Sequence, residues 1–130
     1  MVCNDYNECV FCDRTIVGYG TLDKNSSCYV LKDIYPVSKG HRLIIPYRHV
    51  ETIFDLTDKE LSDMMDLMKK QKEELDKLYH PDGYNIGWNC GEAAGQTVNH
   101  CHLHIIPRYK DDIEDPRGGI RGCIPEKRFY

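Results

Sequence analysis

The sequence predicts an α+β domain in which one long amphipathic helix covers one face of an antiparallel sheet. Three observations predict it. Short β-compatible runs outnumber helical ones, the connections between most of them are only a few residues long, and a single stretch from Thr57 to Tyr79 carries the three- and four-residue apolar spacing of a helix. A chain of 130 residues is the size of one compact unit, so residues 1–130 are read as a single domain, with a core over about 8–110 and a tail over 111–130.

In chain order, the first eight residues are expected to be loose. Val17 to Leu22 and Cys28 to Ile34 read as the two strands of a hairpin, separated by the turn-prone cluster Asp23-Lys-Asn-Ser-Ser27. Tyr35 to Gly40 is a polar connection into Arg42 to Ile45, whose apolar triplet suits a central strand closed by Pro46. The helix opens at Thr57, where a Thr-x-x-Glu capping box with Glu60 satisfies free amides, and ends near Tyr79, ahead of Pro81 and Gly83. Leu61, Met64, Met65, Met68, Leu75 and Leu78 form its core stripe, leaving Lys69, Lys70, Lys72, Glu73 and Glu74 to water. Tyr84 to Trp88 is a strand, Cys90 to Gly95 a turn, and Val98 to Ile106 a strand of strict alternation.

Composition excludes several classes. A formal charge of −4 does not suit neutralisation of a nucleic acid backbone, and no apolar run approaches the roughly 20 residues of a membrane span. The N-terminus is polar rather than signal-like, so the expected location is the cytoplasm. Seven cysteines are an odd number at scattered spacing, which argues for reduced thiols rather than a disulfide scaffold.

The chemistry is concentrated in the last strand. Side chains alternate across a strand, so His100, His102 and His104 line one face about 7 Å apart while Cys101, Leu103 and Ile105 pack on the other. A lone histidine, such as His80, is usually structural; three in register are not explained by folding. They suit either a metal or nucleophilic chemistry on phosphate. The preceding Gly95-Gln96-Thr97 offers amides, a carboxamide and a hydroxyl for phosphate oxygens without carboxylates for a magnesium ion, which favours phosphate.

Gly95-Gln-Thr-Val-Asn-His-Cys-His-Leu-His-Ile-Ile-Pro-Arg108 resembles the signature of the histidine triad (HIT) family, and the resemblance extends through Cys9-Val-Phe-Cys12, Leu31-Lys-Asp-Ile34 and His41-Arg-Leu-Ile-Ile-Pro-Tyr-Arg-His49, over roughly residues 8 to 110. It implies a five-stranded antiparallel sheet with the long helix and a short N-terminal helix. It also implies cleavage at the α-phosphate of a nucleotide, with His102 transiently nucleotidylated, the His100 carbonyl orienting His102, and His104 assisting the leaving group. His41 falls where the family has a further active-site histidine, Asp33 where a carboxylate holds ribose hydroxyls, and Asn89, Gln96 and Thr97 where polar groups meet phosphates. Val10, Phe11 and Leu31 would flank the base. Without the triad, Asp33 reads as a turn residue, Asn89 as a local cap and Thr97 as a β-former.

Cys9-x-x-Cys12 alone is equally consistent with a redox pair, two buried thiols or half a zinc site. The resemblance implies the last: a structural zinc held by Cys9, Cys12, His49 and His100, with no catalytic metal required by the mechanism. The alternative for His49 is a strand-end residue bonded to backbone. Cys3, Cys28, Cys90, Cys101 and Cys123 read as packing or surface thiols.

The resemblance further implies a small-molecule partner, an adenine nucleotide, and a homodimer, with no nucleic acid or membrane partner. Glu92 to His104 is most similar to the fragile histidine triad branch, which cleaves dinucleoside polyphosphates, whereas Asn89 stands where that branch has glutamine and resembles the phosphoramidase branch. Two rivals remain from the residues: a nucleotide-binding regulator with incidental turnover, and a hydrolase using the three histidines to hold a metal. The segment from Pro116 to Tyr130 is glycine-rich and basic, and reads either as a solvated tail or as a source of Arg117, Arg121 and Lys127 for an extended polyphosphate.

Overall fold

The computed structural model describes residues 9–13 and 20–130. Among them, β1 (Asp23–Lys24) and β2 (Cys28–Lys32) form a hairpin, with β1 lying inside the segment 23–27 read from the sequence as its turn and β2 ending two residues before Ile34. Its turn is tighter than the sequence suggests because the Asn25 carboxamide accepts from the Ser27 and Cys28 amides at 3.1 and 3.0 Å, freeing Asp23 and Lys24 to pair. Cys3, residues 17–19 of the expected first strand and most of the N-terminal region in which a short helix was expected lie outside the described residues. Leu22 extends the ladder by donating to the Val30 carbonyl at 2.8 Å.

β3 (Arg42–Pro46), β4 (Gly83–Gly87) and β5 (Leu103–Arg108) complete an all-antiparallel sheet in the order β1-β2-β3-β5-β4. Alternation divides it into two faces. On one, Val30, Ile44, Leu103 and Ile105 pack with Met64, Leu67 and Leu75 of α1 (Asp58–Tyr79). On the other, Tyr29, Leu31, Leu43 and Ile45 form a smaller cluster with Phe11 against it.

The capping box is present: Thr57 Oγ1 accepts from the Glu60 amide at 3.1 Å and Glu60 Oε1 accepts from the Thr57 amide at 2.9 Å. His80 ends the helix in the left-handed region at φ 51°. The buried stripe is Met64, Leu67, Gln71 and Leu75. It therefore includes Leu67 and Gln71, which the apolar pattern passed over, and excludes Leu78, which is exposed. Gln71 is tolerated because Arg42, itself buried, donates to its Oε1 at 2.6 Å and Glu74 lies 3.2 Å from the same guanidinium.

The last strand also begins later than expected. Residues 98–102 are irregular, and Cys101 donates to the Val50 carbonyl at 2.7 Å, so this segment is held by the loop after β3 instead of by a strand partner. Only His104 of the triad stands on β5 itself.

The C-terminal segment is largely exposed and carries local structure. Short 3-10 turns at Gly119–Cys123 and Pro125–Lys127 return Arg128 against Gly118, whose φ of 90° and missing side chain permit the approach; a Cβ there would collide with the Arg128 carbonyl oxygen. No helix among the described residues is long and apolar enough to cross a membrane.

Candidate active site and metal site

Two histidine-rich clusters meet where β5 begins. In the first, Cys9 and Cys12 are brought together by a tight turn in which Cys12 and Asp13 both donate to the Cys9 carbonyl at 3.0 Å. His49 follows β3, and His100 is fully buried. Cys9 Sγ and Cys12 Sγ lie 3.5 and 3.4 Å from His100 Nδ1, Cys12 Sγ lies 3.2 Å from His49 Nδ1, and the two Nδ1 atoms are 3.0 Å apart. Zinc bonds of about 2.3 Å to sulfur and 2.0–2.1 Å to nitrogen set tetrahedral ligand atoms roughly 3.3–3.8 Å apart, close to this spacing. His100 Nε2 donates to the Pro46 carbonyl at 2.8 Å, which leaves the Nδ1 lone pair directed at the other three ligand atoms. Burial holds the His100 imidazole neutral by lowering its pKa to about 4. Among the described residues these four are a group able to hold one metal ion.

In the second cluster the hydrogen-bond partners define the tautomers. His102 Nδ1 donates to the His100 carbonyl at 2.8 Å, so its Nε2 keeps a lone pair. His41 Nδ1 accepts from the Val37 amide at 3.2 Å, which puts the ring proton on Nε2, 2.9 Å from His104 Nδ1 and 3.3 Å from Asp33 Oδ2. His104 then carries its own proton on Nε2. Burial, reinforced by the neighbouring histidines, lowers the His104 pKa to about 4; burial also lowers that of His41. Asp33, His41 and His104 are close enough to be metal ligands. The Val37 bond opposes that use, since a His41 Nε2 that bears the proton has no lone pair for a metal.

Phe11 packs its ring 5.1 Å from that of His102 and 5.9 Å from that of His100, and shares the small apolar cluster with Leu31, while Val10 is exposed beside it. His41, His104 and Asn89 border one cavity of about 390 Å³, with Gly119, Ile120 and Cys123 of the C-terminal segment on its other side. Asp33 Oδ1 accepts from the Tyr35 amide at 2.8 Å and Oδ2 faces His41, so the residue is at once a turn former and a member of the site. Gln96 is placed differently from its expected phosphate role: Oε1 accepts from Gly91 at 2.8 Å and Nε2 donates to the Glu51 and Val98 carbonyls at 2.8 and 3.0 Å. It shapes the loop, and Thr97 is the exposed residue next to it.

Arg117 pairs with Asp115 at 2.8 Å and Arg121 donates to the Lys127 carbonyl at 2.8 Å, both contacts lying within the C-terminal segment. Sequence reasoning did not find the contributions of Val37 and Pro46, because both act through backbone atoms that any residue would supply. The apolar Ile120 beside the histidines carried no signal either.

Fold and site together define an antiparallel α+β domain with its imidazoles gathered on the sheet face that α1 leaves open. The HIT domain family matches residues 21–111, and the chain belongs to that family. It is 50% identical over 82 residues to a HIT-like protein of Methanocaldococcus jannaschii, covering 63% of each chain. It is 40% identical over 92 residues to a bis(5'-nucleosyl)-tetraphosphatase (asymmetrical) of Schizosaccharomyces pombe, covering 71% of this chain and 50% of that one. An adenosine 5'-monophosphoramidase of the same yeast is 34% identical over 106 residues, with 80% and 77% covered. The chain thus spans between half and 63% of the length of the first two relatives. Among solved structures, a HIT family protein from Bacillus anthracis matches with a TM-score of 0.75 at 36% identity, covering 86% of this chain and 78% of that one. A Zn-bound histidine triad family protein from Mycobacterium smegmatis matches with a TM-score of 0.75 at 30% identity, covering 85% and 82%.

Proposed function

We propose that the protein cleaves nucleotides at the α-phosphate through a nucleotidyl-histidine intermediate, with dinucleoside polyphosphates as its substrate class. The observation that carries this reading is the bond from His102 Nδ1 to the His100 carbonyl, which leaves Nε2 as the ring nitrogen available to act as the nucleophile. That nitrogen attacks phosphorus, an N–P bond forms, and the bond to the leaving oxygen breaks with its electron pair on the leaving group. Water then attacks phosphorus, the N–P pair returns to His102, and one proton passes to solvent with release of the nucleoside monophosphate.

His104 contacts the leaving oxygen through its Nε2–H, which His41 orients by donating to Nδ1. With a pKa of about 4, His104 is neutral at pH 7 and offers a hydrogen bond, not a readily transferred proton. A phosphate leaving group needs no proton; an amine does. That difference favours the dinucleoside polyphosphate reading. The second reading is a nucleoside phosphoramidase, supported by Asn89 at the cavity edge and by the adenosine 5'-monophosphoramidase relative.

Asp33, Asn89 and Thr97 are assigned to the nucleotide, with Val10, Phe11 and Leu31 against the base. Adenine as that base, a homodimer as the assembly, the cytoplasm as the compartment and residues 1–130 as one unit belong to the same reading and rest on the family resemblance. Zinc is assigned to Cys9, Cys12, His49 and His100, where it would cross-link the N-terminal turn to the triad and take no part in the chemistry.

AMP release from diadenosine tetraphosphate and from adenosine phosphoramidate, measured with wild type and folded His102→Ala, tests the nucleophile. The expected result is loss of more than about a thousandfold in the variant and faster release from the dinucleotide. Unchanged release in His102→Ala, or none from either substrate with wild type, would overturn the reading.

A further inference from the structure

The open face of β5 carries His104, Ile106 and Arg108 in register, and the groove above them does not stop at the histidines. The cavity bordered by His41, His104 and Asn89 continues past Val37, Asn85 and Ile106 into a second one of about 310 Å³ bordered by Ser38, Arg108 and Ile113. Four residues of strand separate His104 from Arg108, a reach of about 13 Å. One wall is the loop before β3, with Val37 71% exposed; another is the C-terminal segment, with Ile120 64% exposed. Apolar side chains this exposed on two walls of one groove suit a flat, weakly polar group between them.

The polar groups set the character of the groove. Ser38 borders the second cavity and its Oγ is buried without a hydrogen-bond partner, a cost that rotation of the hydroxyl toward a ligand hydroxyl or ring nitrogen would relieve. Arg108 is already matched by Asp112 at 2.7 Å and by the Asn85 carboxamide at 2.6 Å, and Asp82, Asp111 and Glu114 border the cavity beyond it. A paired guanidinium followed by carboxylates does not collect phosphate; it accommodates an uncharged group carrying hydroxyls. A leaving group as small as ammonia or a single phosphate would use none of this length.

We propose that this groove is the subsite for the departing part of the substrate and that it takes the second, uncharged nucleoside of a dinucleoside polyphosphate, with Ser38, Asn85 and Ile113 as specificity residues; the assignment rests on the reading of His102 as nucleophile. The near end of the groove starts at the histidine assigned to the leaving oxygen, whereas the cluster assigned to the first base, Phe11 and Leu31, lies on β2 and the N-terminal turn. Substrate would thus run across the sheet, with the scissile phosphorus between the two nucleosides.

The test is calorimetric binding to full-length His102→Ala protein, which cannot turn substrate over, of diadenosine tetraphosphate, adenosine tetraphosphate and AMP. The first two share a nucleoside and four phosphates; they differ in the second nucleoside and in the extra negative charge of the unesterified terminal phosphate, which the Ser38 and Ile113 variants leave unchanged. The expected result is about tenfold tighter binding of the dinucleotide than of adenosine tetraphosphate, with that advantage falling to about twofold or less in Ser38→Ala and in Ile113→Trp while AMP affinity holds. Ser38→Ala should also melt at the same or a higher temperature, since it removes an unpaired buried hydroxyl; a purely structural role would lower it. Equal affinity for the two tetraphosphates, with AMP bound, would overturn the subsite and leave the catalytic reading intact. Failure of AMP itself to bind would instead overturn the nucleotide reading and the subsite with it.

Discussion

Three hydrogen bonds to ring nitrogens decide what the histidines of this site can do. The Pro46 carbonyl frees His100 Nδ1, the His100 carbonyl frees His102 Nε2, and the Val37 amide commits His41 to donate to His104. The same side chains with different partners would be a different site. Burial has a consequence for stability. His104 has a folded pKa of about 4 against an ordinary value of 6.5, so between those values the unfolded chain binds a proton that the folded chain does not. Its contribution is therefore fully present above about pH 6.5, declines as pH falls toward 4 and changes little below that, for a total on the order of 3 kcal/mol. Urea midpoints of wild type and His104→Asn at pH 7.5, 5.5 and 4.5 check this; the variant should show the shallower decline. Loss concentrated below pH 4 would instead point to the carboxylates, among them Asp112, whose pKa the Arg108 guanidinium lowers.

At the scale of elements, α1 and the C-terminal segment make separate predictions. Thr57→Ala removes one half of the capping box and should cost about 1 kcal/mol in denaturant unfolding without altering nucleotide binding, since the bond it breaks lies within the first turn of α1. Leu75→Ala deletes a fully buried side chain between helix and sheet, and a loss of about 2–5 kcal/mol is expected by the same measurement. Gly118→Ala places a Cβ where the Arg128 carbonyl sits, and at a positive φ, so the C-terminal segment must shift. The expected readout is local: a change in the labelling rate of Cys123, an exposed thiol on the cavity wall, with little change in the global unfolding midpoint. An unchanged labelling rate would mean that the segment absorbs the methyl without moving.

For the whole molecule, the Cys9–Cys12 turn is tied to the sheet by the proposed metal cluster, by the Tyr29 hydroxyl donating to the Phe11 carbonyl and by Phe11 on the triad rings. Zinc removal by a strong chelator is expected to lower the melting temperature by several degrees and to raise the dissociation constant for nucleotide, because Phe11 stands beside both the metal ligands and His102. Metal analysis of protein purified without chelator should return one zinc per chain; Cys12→Ser should reduce it. Full activity and an unchanged melting temperature in metal-free protein would show that the turn holds without the ion.

Much of this molecule is determined by local sequence. The α1 limits follow from Thr57-x-x-Glu60 and the approach to Pro81, β2 and β3 from two apolar runs, and the three histidines from the motif that the family resemblance reads, although only His104 stands on a strand. Such features depend on neighbours a few residues away, so the sequence alone determined them. Tertiary structure decided the rest because it required atoms distant in the chain to meet. Val50 holds Cys101 and delays β5; Arg42 makes the polar Gln71 a core residue in place of Leu78; Glu51 and Gly91 bind the Gln96 side chain. The proton positions on His41 and His104, and the groove running from them to Arg108, likewise come from backbone amides, packed loops and a C-terminal segment whose placement no residue spacing encodes.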